Sequence, residues 1–330
     1  MIAWEKFKKL VEREKLIRSG DRILVAVSGG PDSVCLLHLL WRYKKTNPID
    51  ICAVTIDHGL RRESKREIEK VGALCGKLRI PLAVRSISVK DYARVNKVST
   101  ETAARTLRYQ VLEETAGQFK CDRIATGHTA NDNAETILMW LVRGTGTEGF
   151  AGIPLFRKSG SGKMIIRPLL SSTRGEVVRY ARSQKLAYSI DRSNYSPEFT
   201  RNRIRHGILP LLGKLNPRFV EHLFSFSQIV SRDNEFINTF VNKAVKKVIF
   251  AEKHKISFDL KQFFKYNEAI QSRILKRILP EKRSAANVDF LRDWILFSQK
   301  LQLNYSGRWL IKRVKNRVIF LKYKHGKEPR

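Results

Sequence analysis

The sequence predicts an α/β fold: a doubly wound, five-stranded parallel sheet over residues 1–215, then a smaller, mostly helical basic domain over 216–330. Three observations lead there. Short apolar, β-rich runs alternate with amphipathic helical stretches, the pattern of a parallel sheet covered on both faces. The first run, 23–27, passes through Ser28-Gly29-Gly30-Pro31-Asp32-Ser33 directly into an apolar helical stretch. Near Leu215 the alternation stops and longer helical stretches rich in Lys and Arg take over.

The elements follow in order. Residues 4–17 carry Trp4, Phe7, Leu10, Val11 and Ile17 at helical spacing. Ile23-Leu24-Val25-Ala26-Val27 suits a strand buried on both faces. Ser28 to Pro31 break it, and Asp32 and Ser33 open the helix 34–43. Two glycines allow backbone amides close to a phosphate, and free amides at a helix start favour an anion. The plainer alternative is a tight turn with Asp32 as a first-turn acid. Gly-Gly followed by Pro-Asp-Ser after a β-run favours a nucleotide site.

A second strand, 51–56, ends in Asp57-His58-Gly59-Leu60-Arg61, which puts His58 and Arg61 beyond its carboxyl end, where open α/β sheets bind ligands. Residues 63–78 read as a charged amphipathic helix and 81–87 as a third strand. The helix 101–119 stacks Glu101, Arg105 and Arg108 at i, i+4 and i+7, either a surface pair or arginines aimed at phosphate. A fourth strand, 121–126, runs into Gly127-His128 and the helix start that holds Asp132 and Glu135. Those carboxylates share one face, so they either stabilise the helix start or hold Mg²⁺ or a cationic substrate. A glycine-rich loop, 143–149, follows; 164–169 is the fifth strand and 174–186 a further helix.

From 191 to 206 the chain is polar and basic, and Arg201, Arg203 and Arg205 are expected to contact phosphate. They would share a side if extended and fan out if helical. Beyond it, 219–249, 260–279 and 287–299 read as helices, and 308–314 and 317–323 as strands about a Lys315-Asn316 turn.

Composition narrows the function. The formal net charge is +33, from 64 Lys and Arg against 31 Asp and Glu in 330 residues. An enzyme of small molecules has no need of that imbalance; a polyanion, nucleic acid first, accounts for it. Hydrophobic content of 42% excludes a disordered basic tail. No stretch is long enough for a membrane span, and residues 1–15 alternate charge with apolar side chains, unlike a signal peptide. Cys35, Cys52, Cys75 and Cys121 form no C-x-x-C pair; Cys35 and Cys52 sit in apolar runs and read as core thiols, and a reducing cytoplasm is expected. The glycine-lysine stretch 160–163 fails the Walker pattern, because Arg157 stands at its first glycine position and Met164 follows the lysine.

Ser28 to Ser33 instead resembles the S-G-G-x-D-S signature of the N-type ATP pyrophosphatases, the PP-loop superfamily. Asp57 to Arg61, the E-x-x-A-R-x-x-R-Y pattern of Glu101, Ala104, Arg105, Arg108 and Tyr109, and residues 127–149 extend the likeness. So do Arg167-Pro168-Leu169-Leu170, Asp191-Arg192-Ser193-Asn194 and Arg201-Asn202-Arg203-Ile204-Arg205. Together these resemble the tRNA(Ile)-lysidine synthetases; beyond residue 215 the likeness is one of length and character only.

The resemblance implies a Rossmann-like, adenine nucleotide alpha hydrolase-like fold. It implies a ligase that adenylates C2 of the wobble cytidine of an isoleucine tRNA with a CAU anticodon, then joins free lysine there, releasing AMP and pyrophosphate. Ser28, Gly29, Gly30, Pro31, Asp32, Ser33, His58, Arg61, Arg105, Arg108, Gly127 and His128 would bind ATP. Asp32 would touch Mg²⁺, and Asp132 and Glu135 would hold lysine; Asp32, Asp132, Glu135 and Arg108 would be catalytic.

A tRNA thiolase of the same superfamily and a non-catalytic basic RNA-binding protein are the alternatives. The scattered cysteines speak against the first, and the loop with its nearby acid pair against the second. The oligomeric state, a homodimer included, is open at this point.

Overall fold

The computed structural model describes residues 2–57, 64–189, 200–252, 255–279, 285–305 and 309–322. The chain divides into two compact units, Met1–Met139 with Gly152–Ser227, and Trp140–Ala151 with Gln228–Arg330.

In the first unit α1 (Ile2–Arg13) precedes β1 (Arg22–Ala26), α2 (Pro31–Lys44), β2 (Asp50–Asp57), α3 (Ser64–Leu78), β3 (Leu82–Ser86), α4 (Val89–Asn96), α5 (Thr100–Gln118) and β4 (Arg123–Ala125). Next come α6 (Ala130–Arg143), α7 (Thr147–Phe150, in the second unit), β5 (Phe156–Lys158), β6 (Met164–Ile166) and α8 (Arg174–Ser183). The sheet order is β3-β2-β1-β4-β6-β5. The five expected strands are parallel, and β5 adds an antiparallel edge through Arg157↔Ile165. At three residues, without apolar alternation, β5 carried no periodic signal. The rejected Walker stretch is the turn of this β5–β6 hairpin, where Ser159 N donates to Lys163 O.

β1 shows why the fold is double-wound. Ile23, Leu24 and Val25 are all fully buried. Ile23 and Val25 point into the core shared with α1, α2 and α8, whereas Leu24 joins Cys52, Val54, Leu112 and Ile124 on the α5 face. That alternation is the strand's period of two. Cys35 and Cys75 lie in the first layer, Cys52 and Cys121 in the second, all four buried. α2 is covered almost all round, so Leu36, Leu37, Leu39 and Leu40 are all core. Truncating one to Ala costs about 2–5 kcal/mol.

After residue 199 the first unit continues as α9 (Thr200–Arg203), a π-helical turn (Ile204–Ile208), α10 (Leu209–Leu215) and the start of α11 (Phe219–Val248). Ile204 and Leu209 bury themselves with Ala134, Leu138 and Leu223, which pins this segment to α6.

The second unit continues α11, then forms β7 (Ile249–Glu252), β8 (Lys255–Asp259), α12 (Leu260–Phe263), α13 (Glu268–Ile278), α14 (Ala285–Phe297), β9 (Gln302–Tyr305), β10 (Trp309–Val314) and β11 (Arg317–Lys322). Its sheet is antiparallel with five strands in the order β7-β8-β11-β10-β9, so the unit holds more strand than the expected hairpin alone. That hairpin turns at Lys315 and Asn316, with Lys315 at φ 50°. The helix expected over 260–279 is two, because Asp259 caps Gln262 N and Asn267 caps Ile270 N. No helix among the described residues is long and apolar enough to cross a membrane.

Candidate active site at the strand carboxyl ends

The loop after β1 is closed by its own side chains. Ser28 N donates to Ser33 Oγ at 3.1 Å, and Ser33 Oγ donates to Gly30 O at 3.0 Å. Gly29 sits at φ +80°, a conformation that strains any L side chain. Pro31 stands in the first turn of α2, where its missing N–H costs nothing, and Gly30 caps the helix without a side chain. The loop thereby leaves the helix start open to an anion.

Gly127 brings the second half of the site alongside. A Cβ there would lie 3.1 Å from Asp32 C and from Ser33 N. The turn after β4 therefore runs against the backbone of the first turn of α2, and the helix start holding Asp132 and Glu135 adjoins the Ser28–Ser33 loop. His128, the next residue, hydrogen-bonds Thr126 Oγ1 through Nδ1 at 2.9 Å. Burial, helped by Arg167, Arg201 and Arg105 against the pull of Asp132, lowers its pKa to about 4. It is neutral at physiological pH.

Asp132 and Glu135 do share a face, and two arginines bind them. Asp132 Oδ2 accepts from Thr129 N and Thr129 Oγ1, both at 2.8 Å. Its Oδ1 accepts from Arg201 Nη2 at 3.0 Å and from Arg205 Nη2 at 3.4 Å. Glu135 Oε2 accepts from Arg201 Nε at 2.6 Å, and Glu135 Oε1 from Arg205 Nε at 2.6 Å. Glu135 is 1% exposed, a burial that a carboxylate tolerates only when paired this well. Burial works against ionisation of Asp132, yet Arg201, His128 and Thr129 hold it below the ordinary carboxylate range.

Arg201 and Arg205 thus point inward. Residues 200–208 are helical, so these two, four apart, share a side, while Arg203 faces away and is exposed. Arg105 makes no ion pair with Glu101 and lies over the Tyr109 ring instead. Arg108 is exposed, close enough to Arg105 and Arg201 to feel their charge. His58 and Arg61 lie outside the described residues.

Asp32 contrasts with the pair. Its Oδ1 is buried without a hydrogen-bond partner. Among the described residues its Oδ2 has only Arg174 Nη1, at 3.9 Å. Burial and the charge of Asp132 raise its pKa to about 6, against Arg174 and Arg205. Sequence reasoning missed Arg174 and its partner Asn131, whose Oδ1 accepts from Arg174 N at 2.8 Å. The only signal was the Thr173 capping box that starts α8 just before Arg174. Asn131, Glu135, Arg174 and Arg205 line a cleft of about 230 Å³ with Leu209 and Pro210.

A doubly wound sheet with a glycine-serine phosphate loop at its first strand, and three carboxylates converging there, defines a nucleotide-binding α/β domain. The chain belongs to the PP-loop domain family, which residues 2–212 match. It is 38% identical over 269 residues to a tRNA(Ile)-lysidine synthase of Clostridium acetobutylicum, covering 81% of this chain and 57% of that one. It is 40% identical over 238 residues to a tRNA(Ile)-lysidine synthase of Thermosipho africanus, covering 72% of this chain and 55% of that one. The chain therefore spans little more than half the length of these relatives. Among solved structures, the U34-tRNA thiolase of Methanococcus maripaludis, with its [4Fe-4S] cluster, superposes with a TM-score of 0.60 at 20% identity. It covers 69% of this chain and 78% of that one, a likeness of fold.

Proposed function

We propose that this chain is a tRNA(Ile)-lysidine synthase of the cytoplasm. It uses ATP to adenylate the C2 carbonyl oxygen of the wobble cytidine in isoleucine tRNA with a CAU anticodon, then joins the ε-amine of free lysine to C2. The observation that carries this reading is the acid pair beside the phosphate loop, already shaped around cationic nitrogen by Arg201 and Arg205.

In this reading the C2 oxygen attacks the α-phosphorus of ATP held on Ser28 to Ser33, and the bond to pyrophosphate breaks. Backbone amides at the start of α2 stabilise the pentavalent oxygens, and Arg108 receives charge on the departing pyrophosphate. The ε-amine then attacks C2, and the C2–O bond to AMP breaks. That amine has an ordinary pKa of about 10.4, so it arrives as an ammonium. Asp132 and Glu135 orient it, competing for it against their own arginines. One carboxylate of the pair takes the ammonium proton to free the attacking lone pair; Asp132, held low, is the better anchor and the poorer acceptor.

Mg²⁺ fits one donor here, the unpartnered Oδ1 of Asp32. Among the described residues no three His, Cys, Asp or Glu side chains cluster to hold a metal. A metal on Asp32 would share its remaining positions between phosphate oxygens and water, and when bound it would neutralise phosphate charge.

The test is to incubate the protein with ATP, labelled lysine and isoleucine tRNA. Lysine in the RNA, with one AMP and one pyrophosphate released per lysine joined, is the expected result. AMP release with sulfur rather than lysine entering the RNA, or no AMP release, overturns it.

A further inference from the structure

Beside the site, four arginines stand where no carboxylate meets them. Arg105 and Arg108 come from α5, Arg157 from β5, and Arg167 follows β6. Among the described residues none of the four takes part in an ion pair. Tyr109 is their centre: Arg105 Cζ lies 5.3 Å from its ring centroid and Arg157 Cζ 4.6 Å. Stacking on the ring fixes the planes of both guanidinium forks.

Arg167 is the sharper sign. It is 2% exposed, and its Nη1 donates to Pro154 O at 2.6 Å, while its Nε is buried with no partner. A buried guanidinium with no counter-charge is costly, and an anion would relieve it. Glu101, one turn from Arg105, makes no ion pair with it, and the other nearby acids are engaged elsewhere. Glu113, one turn along from Tyr109, accepts from Gly160 N and Ser161 N. Asp132 and Glu135 hold Arg201 and Arg205. Burial opposes ionisation of the Tyr109 phenol, yet Arg167, Arg157 and Arg105 draw its pKa below the ordinary range, a measure of the positive field there.

We propose that Arg157, held at the Tyr109 ring in the positive field of Arg105 and the buried Arg167, seats a backbone phosphate of the RNA next to the nucleotide being modified, apart from the loop that holds ATP. The inference rests on the tRNA reading above. Several cations call for a phosphate rather than a single carboxylate. The choice between RNA and ATP follows from the sheet. β5 is three strands from β1 in the order β1-β4-β6-β5, about 14 Å at ordinary strand spacing. Arg157 reaches the Tyr109 ring from the far edge of the sheet, so a phosphate it meets is approached from the side opposite β1 and is taken as distinct from the one that Ser28 to Ser33 cradle. A base lifted from its stack into the strand-end pocket needs its flanking backbone held, and a fixed guanidinium fork does that without reading sequence.

Arg157→Ala tests the seat. Binding of full-length isoleucine tRNA and of an unrelated tRNA is measured at several salt concentrations, and ATP affinity by calorimetry. Both tRNAs should weaken roughly tenfold, as for loss of one charged hydrogen bond. The log–log salt slope should fall by about 0.7 to 0.9. ATP affinity should stay within twofold. Arg157→Lys should keep the slope, because the charge remains. If Arg157→Ala unfolds the edge strand, Arg157→Gln carries the same measurement. Loss of ATP affinity with RNA binding intact would make the cluster a nucleotide subsite and overturn the proposal. No change in either would make it internal scaffolding and overturn it too. Wild-type protein that binds tRNA but attaches no lysine would remove the enzymatic reading, while the slope difference would still decide the seat.

Discussion

Asp32 and the Asp132–Glu135 pair occupy neighbouring helix starts at the same end of one sheet, and the protein treats them oppositely. Asp32 is short of partners: one oxygen has none, and burial lifts its pKa to about 6. Asp132 and Glu135 are fully partnered by Arg201, Arg205 and Thr129, and Asp132 is held low despite burial. The first environment has room for a cation; the second is already complete, and on the proposed reading a substrate cation must compete for it. On the proposed reading, three carboxylates separated into these two conditions divide two kinds of work, phosphate chemistry for Asp32 and amine binding for the pair.

The largest effect should come from the incomplete side. Asp32→Ala should abolish measurable adenylation, lowering AMP formation by about 1,000-fold, the upper end for one lost charge-stabilising group, with tRNA binding unchanged. Normal AMP formation would end the contrast. On the complete side, Glu135→Gln or Asp132→Asn should slow lysine transfer about 100-fold and weaken lysine binding, while ATP affinity changes little. If both lysine affinity and transfer survive in the two variants, the pair only stabilises a helix start.

Stability should separate the two environments by sign. The folded pKa of Asp32, about 6, is above its ordinary 3.8. The folded state therefore binds the proton more tightly, and ionising Asp32 costs stability as pH rises from about 4 to about 6. The full cost at neutral pH is on the order of 3 kcal/mol. Asp32→Asn should unfold at higher urea than wild type at pH 7.5 and lose that advantage near pH 4. Asp132 has a lowered folded pKa, so its contribution is present above the ordinary value and lost on acidification. Asp132→Asn should be destabilised at pH 7.5, and equal responses of the two variants would break the comparison.

The Asp32 loop was legible in the sequence because its chemistry is local. A β-run, two glycines and Pro-Asp-Ser fix a strand, a turn and a helix start within a dozen residues. The parallel strands β1, β2 and β6 were legible for a similar reason, each lying in an apolar run. Three things were not. β5 is three residues long, and Arg157 within it has no periodic neighbour to mark it. The second unit's sheet pairs β8 with β11 across 58 to 66 residues, a long-range contact that local patterns do not encode. The pairing of Arg201 and Arg205 with the acids joins residues 66 to 73 apart. Basic side chains on a polar segment read as surface charge until the helix puts two of them, four apart, against α6.

That last point sets the smallest expected effect and the sharpest division within one segment. Arg201, Arg203 and Arg205 were expected to act alike on tRNA phosphates, but Arg201 and Arg205 are partly buried on the acid pair while Arg203 is exposed. Arg203→Ala should lower the log–log salt slope of tRNA binding by about 0.7 to 0.9, one phosphate contact, and weaken cognate and non-cognate tRNA equally. It should leave lysine transfer at saturating tRNA nearly unchanged, because its side chain is turned away from Asp132 and Glu135. Arg205→Ala should do the reverse. Removing one partner of a buried pair exposes Glu135 as an under-compensated charge, at a cost of about 3 kcal/mol in urea unfolding, and disturbs the lysine site. The salt slope should then move little, since Arg205 is occupied by carboxylates rather than phosphate. Slopes and unfolding midpoints measured side by side decide it. If Arg205→Ala flattens the salt slope as much as Arg203→Ala and unfolds no earlier, Arg205 spends its time on RNA, and the acid pair stands open to substrate.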